Sequence, residues 1–276
     1  MLRISVMTRD DTSFASRLAE EERWAHREAD FQRLLNFEPK GCFIARKDGK
    51  PTGMVTTTSY GDYAFLGCLI VKREARRQGV GRALMEAAIK YLSGRGVRTI
   101  ELDGLFPAVD LYRKLGFKDK YLCLLFRGKG EVRRAVTTTY EPQMAESIVR
   151  FDGEMTGLNR ERVVRRFLED FQDSVFVIGD NRISAYAVPK PRPGGFFTVG
   201  PFIARNGEVA EALLHAIMNK YQGKPLALGI PEGNRPGVDL PLKNGFVHLP
   251  PSLRMYLGER RDYHQHVYGI IAPEKG

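Results

Sequence analysis

The sequence predicts an α/β (α+β) chain made of two copies of one fold. Three observations predict this. Apolar runs of strand length alternate with stretches of helical period from one end to the other. Residues 107–117 and 236–246 agree at seven of eleven positions without a gap: a proline, Val-Asp-Leu, a lysine and Gly-Phe recur in register. Agreement of that kind marks an internal repeat. At 276 residues and 43% hydrophobic, the chain is long and apolar enough for two ordinary cores. The polar link Gly128-Lys129-Gly130 marks the expected boundary, giving domains 1–130 and 131–276.

In the first domain a short strand is expected at 4–7. Asp10, Asp11 or Thr12 can cap a helix running toward Trp24. A second helix, 28–36, must stop before Pro39. Strands at 42–45 and 53–59 flank Lys47-Asp48-Gly49-Lys50, a hairpin turn built on Asp-Gly. Residues 64–71 are almost wholly apolar and predict a buried strand. Leu84, Ala87, Ala88 and Tyr91 recur at helical spacing over 79–92. A strand at 97–103, a short helix at 109–115 and a strand at 121–126 complete the copy. The second domain repeats the order: strand 132–138, helices 142–151 and 159–170, strands 175–178 and 183–188 around an Asp180-Asn181 turn. Then follow a buried strand 196–204, a long helix 207–221, a strand 226–230, the repeated motif, and a closing strand 252–257. Residues 190–195 read as a loop, and the stretch after Arg260 shows no pattern.

The formal charge of +10 favours an anionic partner. Cys42, Cys68 and Cys123 are odd in number, widely spaced and set in apolar runs, so they read as reduced core thiols. Metal-ligand spacing is absent, and no apolar run approaches the roughly 20 residues needed to span a bilayer. The first residues do not read as a signal peptide, so a cytoplasmic location is expected. No basic stripe interleaved with aromatics stands out, which argues against nucleic acid as partner.

Between the buried strand and the long helix of the first domain, residues 72–82 carry Gly79, Gly81 and the arginines Arg73, Arg76, Arg77 and Arg82. Two glycines one residue apart let backbone N–H groups converge on an anion, and the helix that follows points its positive end at the same place. This is either a pyrophosphate site or a glycine turn beside a solvated basic face. The dinucleotide fingerprint does not fit, and no Walker lysine is present.

Arg76-x-x-Gly79-x-Gly81 after a buried strand, followed at this spacing by Leu111-Tyr112-x-Lys114-x-Gly116-Phe117, resembles the GCN5-related N-acetyltransferase (GNAT) superfamily. The resemblance covers about residues 1–127 in element order and is specific over 66–117. It implies two tandem domains, each a mixed, mostly antiparallel sheet flanked by helices. It also implies an acetyl-CoA-dependent N-acetyltransferase acting on an amine. On this resemblance the amides around Gln78, Gly79, Val80, Gly81, Arg82 and Ala83, with the arginines Arg76 and Arg77, hold the pyrophosphate of acetyl-CoA. Leu69, Ile70 and Val71 pair with its pantetheine on a strand that splays from its neighbour. Leu105 stands where the family often has Asn.

Acyl transfer to an amine expels a thiolate, which needs a proton. A phenol with reference pKa near ~10 can donate to a thiolate whose acid has a pKa near ~8.5. The family's acid aligns with Tyr112. For the base the sequence offers Glu20, Glu21, Glu22, Asp62, Glu101 and Asp103; Asp103, at a strand end by the expected split, is carried forward as the catalytic candidate. A backbone N–H near Val71 would hold the oxyanion.

The second copy departs at each point. Its loop has six residues (205–210) where the first has ten (72–81), Gly79-Val80-Gly81 becomes Glu208-Val209-Ala210, and Tyr112 becomes Pro241. Glu208 and Glu211 suit a helix start but repel phosphate. It is expected to keep the fold without binding acetyl-CoA. It also resembles the divergent C-terminal GNAT-like domain of some bacterial and archaeal acetyltransferases, through Gly200-Pro201 and Arg254-Met255. Trp24 reads as core; His264 and His266 as surface residues; Glu22 and His26 as an i,i+4 helix pair; Asp152, Asn159 and Arg160 as caps and surface charges; Arg133-Arg134 and Arg165-Arg166 as solvated faces. A CoA-binding protein without turnover is the competing reading of the whole.

Overall fold

The computed structural model describes residues 1–276 except 134, 136–138 and 180–181. The expected Asp180-Asn181 turn, Arg134 and most of the expected strand at 132–138 lie outside the described residues. Along the first half run β1 (Leu2–Val6), α1 (Thr12–Glu21), α2 (Glu28–Phe37), β2 (Phe43–Lys47), β3 (Lys50–Tyr60), β4 (Tyr63–Val71), α3 (Val80–Ser93), β5 (Thr99–Gly104), α4 (Val109–Lys114) and β6 (Lys118–Lys129). Then come α5 (Ala145–Thr156), α6 (Glu161–Asp170), β7 (Phe176–Ile178), β8 (Ala185–Pro191), β9 (Phe197–Ala204), α7 (Gly207–Lys220), β10 (Pro225–Pro231), α8 (Arg235–Lys243), β11 (Val247–Gly258) and β12 (Val267–Gly269). The fold is α/β, with mixed, mostly antiparallel pairing, as expected.

Two compact units result. Unit 1 holds Met1–Lys120, Arg254–Arg260 and Glu274–Gly276. Its sheet runs β1-β2-β3-β4-β5-β11. The pairs from β1 to β4 are antiparallel, and β4 lies parallel to β5. The helical period places Phe14, Ala15 and Leu18 of α1 and Phe31, Leu34 and Leu35 of α2 in one core with Met54, Cys68 and Ile70. α3 buries Val80, Leu84, Ala88 and Leu92, its i,i+4 stripe, against β2, β3 and β4.

Unit 2 holds Tyr121–Leu253 and Arg261–Pro273. Its sheet runs β6-β10-β9-β8-β7, with β12 paired to β9. The core gathers Leu213, Leu214 and Ile217 of α7 with Leu226 and Leu228 of β10, Phe202 of β9 and Phe126 of β6.

The units therefore interleave along the chain, where one cut near residue 130 was expected. The strands expected to close each half are exchanged. From Tyr121 onward β6 pairs antiparallel with β10 in unit 2. The end of β11 lies beside β5 in unit 1, and just past it Glu259 N–H donates to Arg98 O at 3.1 Å and Thr99 Oγ1 donates to Glu259 O at 2.9 Å. Both strands follow the same repeated motif and both are apolar on one face, so local pattern does not choose between the two closures. Buried charge distinguishes them: Arg254, on β11, has its partners on β5.

Candidate active site

β4 and β5 pair only from Tyr63↔Thr99 to Leu66↔Leu102, although β4 continues to Val71 and β5 to Gly104. The cause lies on the far edge of β4. Its register with β3 passes from Thr56↔Gly67 to Met54↔Ile70, so β4 carries one residue more than β3 over that step. This is a β-bulge, with Cys68 at φ +49°. A bulge bends its strand, and here it ends the parallel pairing. The split leaves Leu69, Ile70 and Val71 with no partner strand on the β5 side among the described residues.

β4 leads into a turn that ends at α3. Arg77 (φ +62°) and Gly79 (φ +82°) both adopt the left-handed region, and Gly79 is the residue from which α3 starts. The first helical bond is Ala83 N–H to Gly79 O at 3.0 Å. The N–H groups of Val80, Gly81 and Arg82 precede it and have no intrahelical acceptor. Ala83, expected among the anion-binding amides, spends its N–H inside the helix. Arg76 is a brace: Nε donates to Val71 O at 2.9 Å and Nη2 donates to Glu22 Oε1 at 2.6 Å. Gln78 donates to Glu74 O at 2.8 Å and accepts from Lys47 Nζ at 2.7 Å. Arg82 pairs with Glu86 one turn along α3.

Tyr112 lies on α4 and is 7% exposed. Its ring covers the end of β5: a Cβ on Gly104 would sit 3.0 Å from Tyr112 Cε2. Burial pushes its phenol up to about 12, so the proton stays on at neutral pH. Asp103 lies one residue beyond the last β4–β5 pair. Both its oxygens accept from Arg254, from Nε at 2.6 Å and from Nη2 at 3.0 Å. Glu101 accepts from Arg254 Nη1 at 3.2 Å and from Lys120 Nζ at 2.5 Å. Burial raises the Asp103 carboxyl above its usual range, and Arg254 opposes this only in part. Of the other carboxylates weighed from sequence, Glu22 is held by Arg76, and Asp62 accepts from Arg98 Nε at 3.0 Å.

Sequence reasoning missed a second group in unit 1. α1 ends at Glu21, so Glu22 and His26 do not form a helical pair. His26 instead lies 3.4 Å from Glu274 Oε2 and 3.9 Å from Cys68 Sγ, both measured from Nε2. Desolvation lowers the His26 pKa, but the Cys68 and Glu274 charges outweigh it and raise it to about 10. Trp24 packs at the margin of the core, its ring 6.1 Å from that of His26. The stretch after Arg260 carries no periodicity, so nothing local announced Glu274.

In unit 2 the corresponding places are filled by the chain itself. β10 and β9 pair only at Leu226↔Phe197 and Ala227↔Thr198. Beyond that β12 takes the vacated edge of β9: Val267 pairs with Ile203 and Gly269 with Phe202, and Ile270 N–H donates to Gly229 O of β10 at 2.8 Å. Phe202 and Ile203 are the counterparts of Leu69 and Ile70, counted back from the start of each loop. At the start of α7 the Asn206 side chain accepts from Val209 N–H at 3.0 Å, so a donor that would face an anion is already capped. Pro241 lies inside α8 where α4 has Tyr112. Asp152 and Arg160, expected at the surface, are buried and joined by two hydrogen bonds of 2.9 and 2.6 Å, with Tyr186 Oη donating to Asp152 at 2.5 Å. His264 and His266 are half-buried rather than surface residues, and among the described residues no His/Cys/Asp/Glu group is arranged to hold a metal. No helix among the described residues is long and apolar enough to cross a membrane.

These features coincide with known families. The model of the acetyltransferase (GNAT) family matches residues 11–117, and that of an acetyltransferase (GNAT) domain matches residues 148–269. The chain belongs to the GNAT superfamily of N-acyltransferases, as a member with two GNAT domains. It is 25% identical to the holothin acyltransferase of Pseudoalteromonas sp. over 258 residues, 91% of this chain and 86% of that one. A solved structure from Pyrococcus horikoshii follows the fold over 100% of this chain and 96% of its own, with 23% identity and a TM-score of 0.84. A tandem GNAT protein from the clavulanic acid biosynthesis pathway does so over 95% and 100%, with 16% identity and a TM-score of 0.64.

Proposed function

We propose that the chain transfers an acetyl group from acetyl-CoA to an amine, and that unit 1 alone does so. The observation that carries this is the run from β4 into α3. A strand freed from its parallel neighbour leads through two left-handed residues to a helix whose first amides have no intrahelical acceptor. Such amides suit a pyrophosphate, and the freed edge at Leu69–Val71 suits an extended arm carrying amides of its own. Bound there, acetyl-CoA supplies an activated acyl group on a thiol leaving group. Tyr112 supplies the proton that such a leaving group needs, since burial keeps its phenol protonated across the neutral range. Arg254 holds both the Asp103 and the Glu101 carboxyl groups.

Calorimetric titration with acetyl-CoA tests the site. Replacing Gly79 and Gly81 together by valine disfavours the left-handed start of α3 and sets a side chain against Leu111 and Val71, 3.5 and 3.7 Å from the Cβ at position 81. Binding should fall at least tenfold while the circular dichroism stays unchanged. Unaltered affinity would rule the loop out. Coupled assay of thiol release with a panel of amines tests turnover; binding without turnover on any amine would favour a ligand-sensing role.

A further inference from the structure

Three residues remote in sequence are built into unit 1. Glu274 and Lys275 are 3% and 4% exposed. The segment lies on β4 where pairing with β5 has just ended: a Cβ at Gly67 would stand 2.2 Å from Glu274 Cβ and 2.5 Å from its Cα. A side chain at position 67 is therefore incompatible with this placement. Tyr60 Oη donates to Lys275 O at 2.8 Å and fixes the backbone. Lys275 Nζ donates to Glu274 Oε1, and His26 lies against Oε2.

The charges are unusual for a structural strap. Burying a lysine and a glutamate desolvates both, and a neighbouring pair rarely recovers that cost in full. An apolar strap would hold the segment in place as well. What the pair does supply is an ammonium seated on a carboxylate beside the split, with aromatic rings of Trp24 and His26 close by.

We propose that Glu274 is the carboxylate that binds the acceptor, that the acceptor is a primary alkylamine arriving as its ammonium, and that Lys275 Nζ occupies that place until the acceptor displaces it. The proposal rests on the acyltransferase reading above. Once the acceptor is seated, Glu274 takes one proton from the ammonium; a carboxylate and an ammonium become a carboxylic acid and a neutral amine with a free lone pair. The charged and titratable groups facing Glu274 are His26 from the α1–α2 connection, Cys68 of β4, Lys275 beside it and Asp103 of β5, whose carboxyl it helps to raise. His26, whose Nε2 lies 3.4 Å from Glu274 Oε2, acts as a positioning residue that keeps the carboxylate aimed.

The test uses the full chain with acetyl-CoA and two acceptors within an amine panel: benzylamine, an alkylammonium at pH 7, and aniline, which is neutral. Glu274→Gln should raise KM for benzylamine at least tenfold more than for aniline, the loss expected of one charge-assisted bond. Lys275→Ala should move the other way and lower KM for benzylamine, because the internal competitor is gone. Affinity for acetyl-CoA should hold in both variants. If the two variants change KM in the same direction, or Glu274→Gln affects both amines alike, the segment is a strap and the proposal fails. If Glu274→Gln does not fold, Lys275→Ala decides alone, and an unchanged or raised KM overturns it. A wild-type enzyme that acylates aniline but no alkylamine overturns this inference only. One that neither binds acetyl-CoA nor acylates any amine overturns the acyltransferase reading itself.

Discussion

Tyr112 of α4 combines burial with a position over the end of β5. Tyr112→Phe keeps the ring and its edge contact with Phe117 but removes the transferable proton. The expected outcome is a fall in kcat of about ten- to a thousandfold where chemistry limits turnover. The melting temperature should stay within a degree or two of wild type. Wild-type kcat under those conditions would remove Tyr112 from the mechanism. Tyr112 was legible in the sequence because its motif is local: Leu111, Lys114, Gly116 and Phe117 stand within six residues of one another. Arg254 was not. Its partners Asp103 and Glu101 lie about 150 positions away, and no spacing rule connects a buried arginine to carboxylates that far off. Glu274 escaped for the same reason, since only the folded backbone brings it to Gly67.

At the scale of elements, the long amphipathic helices and buried strands were legible because hydrophobic period marks them. β12 was not, because three residues carry no period. Yet β12 is the element that separates the two copies. In unit 1 the edge of β4 at Leu69 and Ile70 has no partner strand on the β5 side among the described residues; in unit 2 the matching edge of β9 already has its hydrogen-bonding partner in Val267 and Gly269. A pantetheine arm would have to strip that strand away. Titration should therefore give one acetyl-CoA per chain, and substitution of Gly79 and Gly81 should weaken that single site at least tenfold. A stoichiometry near two, or a site of wild-type affinity surviving that substitution, would refute it.

For the molecule as a whole, His26 sets a pH signature. Its folded-state pKa is raised from 6.5 to about 10. A cation stabilised by folding contributes its full share below the unfolded pKa near ~6.5, and the share is lost as pH rises through about 10. Stability of the wild type should thus decline between pH 7 and pH 10 by an amount on the order of a few kcal/mol. In His26→Gln that decline should be largely absent, with denaturant midpoints as the readout. Equal declines in both proteins would deny the raised pKa. Strand exchange makes a second whole-chain prediction. A polypeptide of residues 1–130 lacks Arg254, leaving Glu101 and Asp103 buried without their arginine. Breaking a buried pair in this way costs about 3–5 kcal/mol, a large share of a domain's stability. Such a polypeptide should show no cooperative unfolding transition; a sharp one would show that unit 1 is complete without β11.

Exchange of the closing strands also has a bearing on how the protein is made. A ribosome releases the chain from residue 1 onward, and tandem domains ordinarily fold one after the other as they emerge. Unit 1 cannot follow that schedule. Its edge strand and the arginine between its two buried carboxylates arrive only after residue 254, and the segment against Gly67 only after residue 274. The half that carries Tyr112 and the α3 turn is thus finished last, although it is synthesised first. Chains that stop short of Arg254 should therefore show no acyl transfer, which an assay of thiol release on truncated chains would register.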